Sequence, residues 1–197
     1  VTVAAANYDF VVVKATEGLK YDSPEYPAQI DEVRAAHKRA GAYHFAWPNQ
    51  DPVAEAAHFV KTAALKPGEI ACLDLESWDA TTMTTTPWTV RLAYALKWLA
   101  EVKTATGATP FVYLNWDWLK NLRSTAIIGS PYWVELTSYP LWLADYSSKM
   151  PGQFPSVDGG WQVVLHQWTD NDGGLDGDWL ADTALWDKYA VPAGGAS

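Results

Sequence analysis

Asp74 and Glu76 are the residues of this chain whose type and spacing point most directly to chemistry. They stand in the run Glu69-Ile70-Ala71-Cys72-Leu73-Asp74-Leu75-Glu76-Ser77-Trp78. Its first half is apolar and short, which suits one buried strand and is too short for a globular helix. In a strand, residues i and i+2 point to the same face, with Cα atoms about 6.5–7 Å apart. The two carboxylates therefore leave the strand side by side. Two acids held together resist ionising together, so one stays protonated near neutral pH. A protonated acid beside an ionised one is what cleavage of a glycosidic bond requires. The competing reading makes both carboxylates solvated residues at a strand exit, and the rest of the chain has to decide between them.

A pair of acids needs a scaffold, and the pattern around it alternates strands with helices. Asp9–Ala15 reads as a buried strand with Lys14, Thr16, Glu17 and Gly18 at its exit. Pro24 to Arg39 has helical spacing (Ile30, Val33, Ala36) and stops at Gly41. Ala42–Trp47 is the next strand, and Asp51-Pro52 opens a helix running to about Leu65. After the Glu69–Glu76 strand, Thr85-Thr86-Pro87 caps a long helix to about Thr106, with Leu92, Leu96 and Leu99 on one face. Strands follow at Pro110–Leu114, Leu141–Ala144 and Val163–Trp168, with a short helix over Asp117–Arg123. A Gly/Asp-rich turn, Asn171 to Asp178, leads to a last helix over Asp182–Tyr189.

Near-continuous apolar strands indicate a parallel sheet covered on its faces. Polar and aromatic residues gather at the exits: Glu17, His44, Asp74 with Glu76, Asn115, Asp145 with Tyr146, and Gln167. In a β/α barrel those exits form the active-site mouth. An open doubly wound sheet gives a similar pattern, but no Gly-rich phosphate loop follows any strand.

Composition narrows the function. The 197 residues suit one domain with a sizeable core. There are 12 Trp and 10 Tyr, more large aromatics than a core of this size needs, so some are expected to line a groove and pack on sugar rings. A formal net charge of −9 without any run of Lys or Arg argues against nucleic acid. No stretch approaches 18 apolar residues, which argues against a membrane span, and the small apolar start lacks the basic region of a signal peptide. Cys72, the single cysteine, excludes an internal disulfide and reads as a buried packing residue. The four histidines lack metal-type spacing, and Gly-x-Ser-x-Gly is absent, so neither a zinc nor an α/β serine hydrolase fits. His37 and His58 read as surface residues on helices, His44 and His166 as hydrogen-bonded core residues near the mouth.

Several segments, in order, resemble the family 25 glycoside hydrolases, the lysozymes called muramidases. They are Phe10-Val11-Val12-Val13-Lys14-Ala15-Thr16-Glu17-Gly18, Gly41-Ala42-Tyr43-His44-Phe45, Leu73-Asp74-Leu75-Glu76, Tyr113-Leu114-Asn115, Pro140-Leu141-Trp142-Leu143-Ala144-Asp145-Tyr146 and His166-Gln167-Trp168. Leu175-Asp176-Gly177-Asp178 stands where the family carries Val-Asp-x-Asn. The resemblance implies an irregular β/α barrel that cuts the bond between N-acetylmuramic acid and N-acetylglucosamine, without metal or cofactor. It implies Glu76 as general acid and Asp74 as the group that orients the substrate's 2-acetamido group, which acts as internal nucleophile. Asp176 is the choice for the last site carboxylate, with Asp178 and Asp182 as rivals. Tyr43, Tyr113, Trp142, Asp145, Gln167 and Glu17 are the substrate-binding candidates.

The family's usual opening strand, Gly-x-Asp-Val-Ser, has no counterpart here, so the expectation is a barrel lacking its first strand, as in a fragment. Residues 1–190 then form the catalytic domain, and Val191–Ser197 a linker-like tail leading to a wall-binding module. The implied partner is bacterial peptidoglycan and the implied state a monomer. The implied setting is the cell wall, reached by a phage endolysin or a secreted enzyme. Two rivals stand beside this reading. A chitinase-type hydrolase wants Asp-Gly-x-Asp-x-Asp-x-Glu, of which only Asp74 and Glu76 survive. A non-catalytic sugar-binding module would use the aromatics alone.

Overall fold

The computed structural model describes residues 8–76, 86–124, 127–147, 154–157, 160–172 and 175–194. Its frame is one sheet of eight strands: β1 (Phe10–Glu17), β2 (Tyr21–Asp22), β3 (Arg39–Phe45), β4 (Ile70–Asp74), β5 (Phe111–Asn115), β6 (Leu141–Ala144), β7 (Val163–Asp172) and β8 (Leu175–Leu180). Their spatial order is β2-β1-β3-β4-β5-β6-β7-β8. Pairing is parallel from β1 to β7, with a short antiparallel partner at each end. The helices are α1 (Tyr26–Ala35), α2 (Pro52–Ala63), α3 (Trp88–Thr106), α4 (Trp116–Ser124), α5 (Pro131–Leu136) and α6 (Thr183–Tyr189). This is an α/β fold whose sheet curls into an open half-barrel. Among the described residues β1 and β8 do not pair with each other.

Strand alternation divides the apolar residues into two layers. On the outer face Ala42, Ala71, Leu73, Val112 and Leu143 pack with Phe59 of α2 and with Trp98 and Leu99 of α3. On the inner face Cys72, Phe111, Trp142 and Leu165 pack with Trp186 and Tyr189 of α6. That short helix closes the barrel floor, its Trp186 ring 5.4 Å from Phe10 and its Tyr189 ring 5.8 Å from Phe111.

Register then decides which residues reach the mouth together. Glu17 pairs with Phe45, Phe45 with Asp74, Asp74 with Tyr113, and Tyr113 with Trp142, forming one row across five strands. A register shift between Lys14 and Thr16 marks a bulge in β1. It lets Ala15 join the outer layer while Thr16 Oγ1 meets His44 Nδ1 at 2.7 Å.

Several local expectations hold. Asp51 caps α2 by accepting from Val53 N at 2.9 Å, with Pro52 in the first turn, and α3 runs to Thr106. Others are corrected. The first helix ends at Ala35, because His37 turns the chain with a left-handed φ of 53° and β3 begins already at Arg39. The stretch Asn171–Asp178 is not simply a turn: β7 continues to Asp172 and β8 starts at Leu175, so it is the arm of a β-hairpin. The proposed capping residue Thr85 lies outside the described residues, and the N-terminal flank of α3 is Pro87. Helix α5 was not foreseen, although Ser130-Pro131 is a cap signal and Ser130 does accept from Trp133 N at 3.3 Å. Near the chain's end Val191 is tied to the body, donating to Glu69 O and accepting from Gly68 N, both at 2.9 Å.

Gly41 shows how tightly β3 and β4 are joined. A Cβ there would lie 2.6 Å from Ile70 Cγ1 and 3.3 Å from the Ile70 carbonyl. Gly41→Ala is therefore expected to cost about 1–3 kcal/mol through overpacking. Urea unfolding followed by circular dichroism measures it; an unchanged midpoint would show that the pair relaxes freely.

Candidate active site

β4 is buried along its whole length and delivers Asp74 to the mouth, with Glu76 two residues on. Asp74 is only 8% exposed, and its Oδ1 has no hydrogen-bond partner among the described residues. Burial, then the neighbouring Glu76, pushes its carboxyl well above the usual range, against which Lys14 pulls down. Glu76 is also raised, first by burial and then by Asp176, while a hydrogen bond from Asn115 opposes the rise. Both acids face a groove of about 1630 Å³ that Lys14, Tyr21, Tyr113 and Asp176 also line.

Asn115, expected at the mouth but not among the catalytic or substrate-binding candidates, reaches the general-acid candidate directly. It ends β5, and its Nδ2 donates to Glu76 Oε2 at 3.1 Å. Its Oδ1 accepts from Trp118 N at 2.9 Å, the first turn of α4, which fixes the amide with its NH₂ toward the acid. The sequence signal was its place at the exit of β5; the register that carries it to Glu76, with Asp74 paired to Tyr113, appears only in the folded sheet.

Beside the acids, on the next strands of the same row, stands an aromatic wall. Tyr113 OH donates to Gln167 Oε1 at 2.9 Å, and Tyr146 OH donates to the same oxygen at 2.8 Å. Trp142 packs edge-on against Tyr113, centroids 5.1 Å apart, and donates its Nε1–H to Asp178 Oδ1 at 2.6 Å. Trp142 and Tyr113 are 6% and 8% exposed, so both form the groove's wall rather than open platforms. Tyr43 is half-buried beside them, and burial followed by Asp74 pushes its phenol up.

The remaining candidates separate cleanly. Asp176 and Asp178 both line the groove, from the same face of β8. Desolvation pushes Asp178 up to about 7, against the Trp142 hydrogen bond. Asp182 is spent elsewhere, capping α6 through Ala184 N at 2.9 Å. Asp145 accepts from Ser147 N at 3.0 Å in the turn after β6 and does not line the groove. Glu17 is likewise committed: Oε2 pairs with Lys14 Nζ at 2.7 Å, and Oε1 accepts from Trp47 Nε1 at 3.1 Å. His58, expected at the surface, bonds Asp22 Oδ1 at 2.7 Å and Gly18 O at 2.9 Å instead. Cys72 is fully buried, and desolvation pushes its thiol up, as suits a packing residue. Among the described residues no group of three or more His, Cys, Asp or Glu could hold a metal ion.

The sequence pattern described as "Glycosyl hydrolases family 25" matches residues 2–177. This chain belongs to that family. The family 25 glycosidase is 28% identical over 171 residues to an N,O-diacetylmuramidase of Chalaropsis sp, covering 80% of this chain and 74% of that one. It is also 28% identical over 151 residues to an autolytic lysozyme of Clostridium acetobutylicum, covering 76% of this chain but only 41% of the relative. Among solved structures, a muramidase from Trichobolus zukalii superposes with a TM-score of 0.76 at 26% identity, covering 91% of this chain and 87% of that one.

Asp178 gives this glycosidase a stability signature. A carboxyl whose folded pKa is raised leaves the native state holding a proton that the unfolded chain releases. Its penalty is absent below the unfolded value of 3.8, grows as pH rises, and is complete above about 7. Asp74, Glu76 and Asp176 are raised as well and act in the same direction. Asp178→Asn removes one of these penalties while keeping an acceptor for Trp142. Its melting temperature is therefore expected to fall less than the wild type's between pH 4 and pH 8. Parallel curves for the two proteins in thermal melts would show that Asp178 ionises normally.

Proposed function

We propose that this family 25 glycosidase is a muramidase, a peptidoglycan lysozyme that cuts the β-1,4 bond between N-acetylmuramic acid and N-acetylglucosamine. The observation that carries it is the Asp74–Glu76 pair facing the groove, with Asp74 Oδ1 buried and unpartnered. A buried acceptor lacking a donor is costly, and a substrate N–H is a donor of the right kind. The 2-acetamido group of a glycan supplies one. Asp74 receives that N–H and turns the acetamido oxygen toward the anomeric carbon, where it acts as internal nucleophile in place of a second protein carboxylate.

Glu76 is the general acid. Its raised pKa favours the protonated form that a general acid needs, and Asn115 holds one oxygen so that the other meets the leaving glycosidic oxygen. Once the bond breaks, the ionised Glu76 takes a proton from the water that opens the intermediate, and the carboxyl is restored. Tyr113, Tyr43 and Trp142 wall the sugar in, and Asp176 completes the acidic rim. The enzyme's target in this reading is the bacterial cell wall, reached by release from a cell or by secretion. Family membership weighs against a chitinase-type enzyme, and two carboxyls with raised pKa values side by side on the groove weigh against a binding-only module.

Turbidity loss of purified bacterial walls, with identification of the new reducing ends, tests the reading. N-acetylmuramic acid ends are expected, and Glu76→Gln should lose at least about a hundredfold in rate. Undiminished clearing by that variant would remove Glu76 from the mechanism. A second test separates the role of Asn115. Asn115→Ala removes a bond that favours ionised Glu76, so the acid's pKa rises further. The basic limb of the kcat/KM profile is expected to move to higher pH, with about a tenfold loss at the optimum from poorer orientation. An unmoved limb would mean that Asn115 does not act through Glu76.

A further inference from the structure

Trp142 and Tyr113 are too enclosed to offer a ring face, yet two tyrosines stand open at the mouth: Tyr21 at 46% and Tyr146 at 44% exposure. Tyr146 is tied into the wall through Gln167. Tyr21 sits on β2, pairs in register with Glu17, and lines the same groove as Asp74 and Glu76. The segment that carries it is bolted down at every step. Gly18 N donates to Phe45 O at 3.1 Å, and Leu19 N to Gln50 Oε1 at 3.0 Å. His58 holds both Gly18 O and Asp22, Thr62 adds a bond to Asp22 at 2.9 Å, and Ser23 N donates to Ala15 O at 2.9 Å. Gly18 has a left-handed φ of 51°, and a Cβ there would press on Trp47 and Gln50 at 3.0 Å.

The Tyr21 ring itself is held from one side. Lys14 Nζ lies 5.4 Å from its centroid and 5.1 Å from that of Phe45, and is fixed by its 2.7 Å bond to Glu17. Ordering a large side chain and then leaving it half in water gains little for folding. It does provide a rigid aromatic face whose ordering cost has already been met when a ligand arrives.

We propose that the β1–β2 hairpin carries a saccharide-stacking subsite centred on Tyr21, which takes a pyranose ring of the glycan strand beyond the sugars at the cleaved bond. The proposal rests on the muramidase reading for the identity of the glycan. Position supports the outward placement: β2 is three strands from β4 in the sheet, about 14 Å at the usual spacing. That is more than one ring from the acids. An apolar stacking contact also suits a protein of net charge −9, which gains no attraction toward an anionic wall.

The test uses soluble, peptide-free oligomers of alternating N-acetylglucosamine and N-acetylmuramic acid, separated by length, with the wild type, Tyr21→Ala and Tyr21→Phe. Far-ultraviolet melts first confirm that the variants fold. Tyr21→Ala is expected to lose about five- to tenfold in kcat/KM on long strands, through KM. It should stay within twofold of wild type on the shortest oligomer cut, and Tyr21→Phe should match wild type on both. Equal loss at both lengths, or none on long strands, overturns the subsite. Should the wild type cut nothing, calorimetric titration with the same oligomers still decides. Weaker binding of long strands by Tyr21→Ala supports the subsite while the hydrolytic reading falls; equal affinity, or no binding by the wild type, overturns it.

Discussion

Holding Asp74 in a buried position is the condition that the rest of this molecule has to meet. A carboxyl withdrawn from water is costly unless it is bonded or neutral, and Asp74 keeps one oxygen without a partner among the described residues. What makes the position tenable is the strand that carries it. β4 is buried from Ile70 to Asp74, with Ala71 and Leu73 in the outer layer and Ile70 and Cys72 in the inner one. Four parallel registers then lock the row from Glu17 to Trp142. The acid cannot swing out without disturbing two apolar layers, so its raised pKa is a consequence of how the sheet packs. Stability spent here is what a preorganised site requires.

A second buried polar set lies behind the same strands and behaves differently. His44 bridges Thr16 Oγ1 and Glu55 Oε2, both at 2.7 Å, and its ring stacks on Trp98 at 5.5 Å. Glu55 Oε2 also accepts from Tyr94 OH and, at 3.3 Å, from Trp47 N. These bonds join β1, β3, α2 and α3 just beneath the mouth, and desolvation lowers the imidazole's pKa. Glu55 Oε1 and Asp74 Oδ1 are both buried without a partner among the described residues; Glu55 is enclosed in the core, whereas Asp74 lines the groove. The two sets have similar chemistry, and the face of the sheet they occupy separates scaffold from site.

Much of the scaffold could be read directly, because it rests on local rules. The Asp51-Pro52 cap, the long α3 and the apolar run of β4 need only capping chemistry and periodicity. The misread pieces depend on distant partners. Asn171 to Asp178 looks like turn material because of its Asp and Gly residues, yet Gly177 is glycine because Thr169 and Trp168 occupy the space where a Cβ would go, at 2.8 and 2.9 Å. That requirement appears only once β7 and β8 are paired. The end of α1 was overrun for a similar reason: His37 takes a left-handed turn so that Arg39 can pair with Phe10, a contact 29 positions away.

The site shows the same division. The acids were legible because their spacing of two is a property of a single strand. Which aromatics are walls and which are open faces depends on where the sheet curls, and composition is silent on that. Trp142 sits in an apolar strand beside a predicted exit, as a platform would, but Tyr113 and Asp178 close over it from β5 and β8. Tyr21 had no signal of its own, in a two-residue strand with an ordinary sequence. Glu17 and Asp145 occupy exits, yet each carboxylate answers a nearer donor: Lys14 and Trp47 for the first, Ser147 N for the second. A strand exit gives a residue access to the mouth. Whether its polar atoms remain open to a substrate depends on which neighbours reach them first, and that is settled by register and by the loops that follow.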